Sequence, residues 1–210
     1  MGIEEELKRG GDVTIKIVII NYKMGNVRSV YNALKYSGAK PVIAKYPSEV
    51  KGDKLIIPGV GAFGEGINNL KPFIPKIWEF VTADTPVLGI CLGLQMFFEE
   101  SEEAPKVEGL KLMKGKIIKI RTKLKLPQIG WNYLEIRKKN CPLFKDVNNG
   151  YVYFVHSYHA LPEEDIVVAT TDHGTEINAS VWKNQLFGTQ FHPEKSGRMG
   201  LQILKNFVEL

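Results

Sequence analysis

Residues 86–95 read Pro-Val-Leu-Gly-Ile-Cys-Leu-Gly-Leu-Gln, and few folds accommodate that run. An apolar, β-branched stretch ends in a cysteine with a glycine two positions before it and another two after it. This is the Gly-x-nucleophile-x-Gly elbow, a sharp strand-to-helix turn with Cys91 where a serine often stands. Such a turn forces the central residue into strained backbone angles, and Gly89 and Gly93 must lack a Cβ to avoid collision. It places the thiol at the positive end of a helix, where the thiolate is favoured, and leaves the Leu92 N–H free to face a developing oxyanion. A cysteine after an apolar strand is also commonly just a small buried hydrophobe. Both readings stand at this point. Cys141, in Lys-Lys-Asn-Cys-Pro, has no such frame and reads as structural.

The elbow belongs to a longer alternation. Strand-like runs at 15–20, 41–44, 54–57 and 86–90 are separated by helical patterns. The first, with Val27, Val30, Tyr31 and Leu34 on one face, has Asn26 as a candidate N-cap; the second spans about 65–82; a short helix follows the elbow. This order predicts an α/β fold: an open, mainly parallel, flavodoxin-like sheet with helices on both faces. Later runs at 117–121, 133–136, 151–155, 167–170, 180–183 and 186–190 come in close succession and predict added antiparallel strands, closed by a helix over about 197–208. One domain over 15–210 follows, preceded by an exposed charged extension over 1–14.

Composition narrows the class. The chain has 210 residues, a net charge of +5 and two cysteines. That length supports one domain without staples, and two cysteines fit a reducing, cytoplasmic setting. The longest uncharged run, Thr85–Phe98, falls short of the ~20 residues of a bilayer span, so no membrane association is expected. Lys119, Arg121, Lys123 and Lys125 alternate with less polar residues and read as a strand with one solvated cationic face or as a docking surface for an acidic partner. Without interleaved aromatics they do not suggest nucleic acid.

A thiol nucleophile needs a base. Gln190-Phe191-His192-Pro193-Glu194 ends an apolar strand, where side chains of open α/β sheets collect for catalysis. His192 and Glu194 point the same way in extended chain, so the carboxylate can accept the Nδ1 proton and fix the tautomer. The competing reading is a solvated histidine beside a surface glutamate. His156 and His159 flank Ser157-Tyr158 and line the same mouth or act as spacers; His173 reads as a turn residue. No histidine or cysteine cluster has metal-ligand spacing. Pro58-Gly59-Val60-Gly61 follows the third strand, and its backbone donors at Val60 and Gly61 would complete an oxyanion hole with Leu92, unless it is a plain glycine-rich loop. It matches neither a Walker A loop nor a dinucleotide fingerprint. Trp131, beside Gly130, reads as a loop residue, either core plug or interface anchor. Glu99, Glu100, Glu102 and Glu103 form a mostly solvated acidic run.

Together, and in this order, the Pro-Gly-Val-Gly loop, Gly-Ile-Cys-Leu-Gly-Leu-Gln and Phe-His-Pro-Glu resemble the class I triad glutamine amidotransferases over about residues 15–208. Within them, residues 58–64, 98–103, 127–132, 153–158 and 192–196 are similar to the glutaminase subunits of imidazole glycerol phosphate synthases. The resemblance implies a Cys91–His192–Glu194 triad that hydrolyses L-glutamine to glutamate and ammonia without a cofactor. It implies that Gly59, Gly61, Gln95, Glu103, Ser157 and Tyr158 hold the glutamine. It also implies a heterodimer with a (β/α)₈-barrel cyclase, with Trp131, Tyr153 and Lys195 at the interface, making imidazole glycerol phosphate and an aminoimidazole carboxamide ribotide in histidine biosynthesis. A triad glutaminase of purine, anthranilate or pyridoxal phosphate synthesis is the alternative within the class; a catalytically idle binding subunit, or a cysteine peptidase or chaperone on the same fold, are alternatives outside it. Two positions depart from the pattern: Asn21-Tyr22-Lys23-Met24-Gly25-Asn26 for Asp-Tyr-Gly-x-Gly-Asn, and Gln128 for the histidine of Pro-His-x-Gly-Trp.

Overall fold

The computed structural model describes residues 15–210; the extension expected over 1–14 lies outside them. Twelve strands and five α-helices follow one another among these residues. The strands β1 (Lys16–Ile20), β2 (Lys40–Ala44), β3 (Lys54–Ile57), β4 (Val87–Ile90) and β12 (Leu186–Thr189) pair in parallel, in the order β2-β1-β3-β4-β12. Their side chains alternate between two apolar layers, as period-2 geometry requires. Val18, Ile20, Leu55, Ile57 and Val87 pack with Phe63, Ile67 and Leu70 of α2 (Phe63–Leu70) and Ile77 of α3 (Ile74–Thr82). Ile17, Ile19, Ile56, Leu88 and Ile90 pack on the other face with Val30 and Leu34 of α1 (Val27–Tyr36) and with Ile203, Leu204 and Phe207 of α5 (Gly197–Glu209). The near-continuous apolar strands are thus those of a parallel sheet covered on both sides.

Beyond β12 the same sheet turns antiparallel through β11 (Glu176–Lys183), β10 (Val167–Asp172), β7 (Gln128–Ile136) and β8 (Gly150–His156). A three-stranded sheet of β5 (Glu100–Ser101), β6 (Gly115–Lys119) and β9 (Tyr158–Pro162) lies apart. No helix among the described residues is long and apolar enough to cross a membrane.

The α/β architecture matches the expectation, and Asn26 caps α1 by accepting from the Ser29 N–H. Three local readings change. The helix expected over 65–82 is two helices joined by a 3₁₀ turn at Lys71–Phe73, because Pro72 and Pro75 lack the N–H that a continuous helix would need. The cationic strand stops at Lys119. Beyond it the chain leaves the sheet, with Ile120 N–H donating to the Ser157 carbonyl and the Thr122 hydroxyl to that of His173. Trp131 sits in β7 rather than in a loop. The acidic run stays exposed or half-buried as expected, while Glu99, Glu102 and Glu103 also accept from the N–H groups of Gly115, Lys119 and Phe63.

Candidate active site

Cys91 lies between β4 and a single helical turn, α4 (Leu92–Gln95), with φ 53° and ψ −106°. A Cβ on Gly89 would come within 2.7 Å of the Gly93 carbonyl carbon, and one on Gly93 would overlap the Ile57 carbonyl oxygen. Both glycines are therefore required by close backbone approach. With only one turn behind it, the sulfur receives little of the dipole that a longer helix would supply, so its environment rests on side chains.

Those side chains follow β12, and β8 adds main-chain carbonyls. His192 follows β12 and is held at both ends of its backbone: its N–H donates to the Tyr153 carbonyl at 2.9 Å, and its own carbonyl accepts from the Ser196 hydroxyl at 2.6 Å. Its Nδ1 donates to Glu194 Oε1 at 2.8 Å, with both side chains 2% exposed. Burial pushes the imidazole down, but the Cys91 sulfur and the Glu194 carboxylate outweigh it and raise the group to about 10. Nε2 is buried and makes no aligned hydrogen bond. The sulfur also faces the Val155 carbonyl at 3.9 Å and receives the Gln190 side-chain N–H at 3.6 Å.

A cleft of about 400 Å³ opens over the sulfur. Val60, Gly61, Leu92, Gln95, Glu103, Ser157, Tyr158 and Lys195 are among the residues that line it. His192, Glu194 and Gly59 stand behind this lining. Glu103 spends Oε2 on the Phe63 N–H at the start of α2, at 2.7 Å. The Leu92 N–H donates to the Gly59 carbonyl at 3.4 Å, so in this conformation the expected oxyanion donor is already occupied. Tyr22, kept protonated by burial and by the Cys91 charge, donates from Oη to the Pro58 carbonyl at 2.7 Å and pins the strand side of that loop. Gly61 has φ +107°, a value that suits glycine.

Trp131 and Tyr153 form an edge-on pair at 6.3 Å, and Lys195 Nζ lies 5.6 Å over the Tyr153 ring. Trp131 is 56% exposed, beside exposed Ile129, Tyr133 and Tyr151 on the same face of β7 and β8. Lys195 also lines the cleft, so this face and the cleft share a residue. His156 lines the cleft and is held neutral, its acidity shifted to about 4 by burial; His159 is shifted to about 4 by burial and lies outside the lining. His173 sits in the turn between β10 and β11. The two departures have structural counterparts. Lys23 adopts φ 68° where a glycine is usual, and buried Gln128 is bonded to His156 Nε2 at 2.8 Å. The residue that sequence reasoning missed is Gln190. It lies in the run already read as the end of a strand, and nothing in its local pattern signals that it reaches a sulfur 99 positions away.

Comparisons with known proteins identify the family. The family model for glutamine amidotransferase class-I matches residues 18–210. The chain is 48% identical over 196 residues to imidazole glycerol phosphate synthase subunit HisH of Methanocaldococcus jannaschii, covering 92% of this chain and 99% of that one. It is 46% identical to the same subunit of Pyrococcus furiosus, covering 93% and 99%. Among solved structures, PurLQS from Thermotoga maritima superposes with a TM-score of 0.75 at 18% identity, covering 94% of this chain and 99% of that one. The glutaminase domain of CTPS from Trypanosoma brucei superposes with a TM-score of 0.65 at 14% identity, covering 93% of this chain and 94% of that one. The structural matches speak for the fold alone, whereas the sequence matches run nearly end to end. The chain belongs to the class-I glutamine amidotransferases and, within them, to the HisH subunits of imidazole glycerol phosphate synthase.

Proposed function

We propose that this chain is the glutaminase subunit of an imidazole glycerol phosphate synthase. It hydrolyses L-glutamine and delivers the ammonia to a (β/α)₈-barrel cyclase partner. Cys91 attacks the side-chain amide carbon of glutamine, and a tetrahedral intermediate forms. His192, its tautomer set by Glu194, gives the proton that lets ammonia leave. Water, deprotonated by the same imidazole, then cleaves the thioester to glutamate and restores the thiol. Gln95, Glu103, Ser157, Tyr158 and the glycine loop hold the substrate. Trp131, Tyr153 and Lys195 form the docking face for the cyclase.

The observation that carries this reading is the strained Cys91 at the floor of a cleft, beside an imidazole already bonded to a buried carboxylate. The oxyanion hole is formed by Leu92 with Val60 once the Gly59–Val60 peptide turns. That motion removes the Gly59 carbonyl from the Leu92 N–H and substitutes a donor for it. Partner binding on the neighbouring face drives the turn, so the isolated chain is nearly silent.

A glutaminase assay with and without the cyclase and its ligand tests the reading. Ammonia release should rise steeply in the complex and vanish in Cys91→Ala. Activity that survives the substitution refutes the triad, and equal activity with and without cyclase refutes the switch.

A further inference from the structure

Gln190 immediately follows β12 and is completely buried, and both ends of its side-chain amide are hydrogen-bonded. Nε2 donates to Cys91 Sγ at 3.6 Å, and Oε1 accepts from Gln95 Nε2 at 3.1 Å. Gln95 Nε2 uses its second hydrogen on the Tyr158 carbonyl at 3.1 Å. That carbonyl is also bonded to His156 Nδ1 at 2.8 Å. The direction of the chain follows from elementary donor and acceptor counting. A carbonyl only accepts, so Gln95 must present nitrogen to Tyr158. The remaining N–H of Gln95 then faces Gln190 and demands its oxygen, which leaves the Gln190 nitrogen pointing at the sulfur. A main-chain carbonyl thereby dictates, through two amides, that a hydrogen-bond donor faces Cys91.

We propose that Gln190 is a further catalytic residue of the glutaminase reaction, whose side-chain N–H stabilises the Cys91 thiolate, and that Gln95 is the positioning residue that aims it. This rests on the reading of Cys91 as the nucleophile. A donor to an anionic acceptor is stronger than a neutral pair. Unlike His192, an amide cannot take the proton back, so Gln190 stabilises the charge without competing for it. The same bond favours departure of sulfur as a thiolate when water opens the thioester.

The test is the pH profile of iodoacetamide alkylation of the full chain. Cys141 is buried and its thiol is pushed up to about 11 by burial, so alkylation near neutral pH reports on Cys91, with Cys91→Ala as the blank. Gln190→Met keeps the shape and removes the donor. Its alkylation midpoint should rise by about one pH unit, a tenfold weaker preference for the thiolate. Glutaminase kcat in the complex should fall about tenfold with KM for glutamine little changed. Gln95→Met, which releases the aim of Gln190, should move the midpoint the same way by less, and it decides the matter if Gln190→Met does not fold. Profiles that superimpose on that of the unaltered chain overturn the proposal. A shift in Gln190→Met with none in Gln95→Met overturns the positioning role. Glutaminase activity persisting in Cys91→Ala would instead overturn the nucleophile assignment beneath it.

Discussion

At the scale of single residues, the site is governed by where one charge is held. Glu194 commits Oε1 to His192, while Oε2 is buried without a partner. Its charge is therefore balanced almost entirely by the imidazole. Glu194→Gln keeps the volume but removes that charge and lets the amide present a nitrogen to Nδ1, favouring the wrong tautomer. We expect glutaminase kcat in the complex to fall by about 10³–10⁴-fold with the melting temperature little changed, measured by ammonia release alongside calorimetry. Cys91, His192 and Glu194 were legible in the sequence because each is defined by residues within two positions of it. Gln190 was not, since its role depends on Gln95 and Tyr158, which reach it only through the fold.

Among the elements, α5 shows how a distant strand completes a helix. The last carbonyls of a helix lack intrahelical donors, and those of Phe207 and Val208 accept from Lys54 Nζ, 2.9 and 2.7 Å away, reaching across from β3. Burial lowers the pKa of that ammonium, yet its bonds to the negative end of the helix keep it in place. Lys54→Met should cost about 1–3 kcal/mol of stability by urea unfolding, with the cleft and the glutaminase rate of the folded fraction unchanged. A loss of activity without loss of stability would contradict this structural role. The parallel strands and α1 were readable from apolar runs and a capping asparagine. The break at Lys71–Phe73 was masked by helical periodicity continuing across two prolines. The strands β5 and β9 and the first half of β7 were missed because they are short or carry Gly130 and polar residues, and pair only with partners distant in sequence.

For the whole molecule, acid sensitivity and partner binding both follow from what the fold buries and exposes. His156 and His159 are shifted down to about 4 by burial, while the unfolded chain titrates near 6.5. Between those values the unfolded state binds more protons. The stability these neutral histidines permit is thus complete above pH 6.5 and is lost as pH falls toward 4, by up to about 3 kcal/mol for each. Urea unfolding at about pH 7, 5 and 4 should show this slope, and His159→Gln should flatten it; an unchanged slope would show that other groups control acid unfolding. On the outer face of β7 and β8, Trp131 stands exposed against Tyr153. An aromatic anchor of this kind typically carries about 2 kcal/mol or more of binding energy. Trp131→Ala should weaken cyclase binding by about that much in a calorimetric titration while leaving the folded chain as stable as before.

By itself, the sequence determined the α/β class, the elbow that strains Cys91, and the adjacency of His192 to Glu194. These depend on local sterics and on periodicities of two and about 3.6 residues, which a chain carries without knowing its partners. Only the tertiary structure decided that β12 pairs beside β4, and this pairing brings an imidazole to a sulfur about a hundred residues earlier. It alone decided that the Gly59 carbonyl occupies the Leu92 N–H, that Lys54 caps α5, and that two buried amides aim a donor at the Cys91 sulfur. Each of these is a contact between segments far apart in the chain, fixed by which surfaces bury together, and no local pattern encodes it.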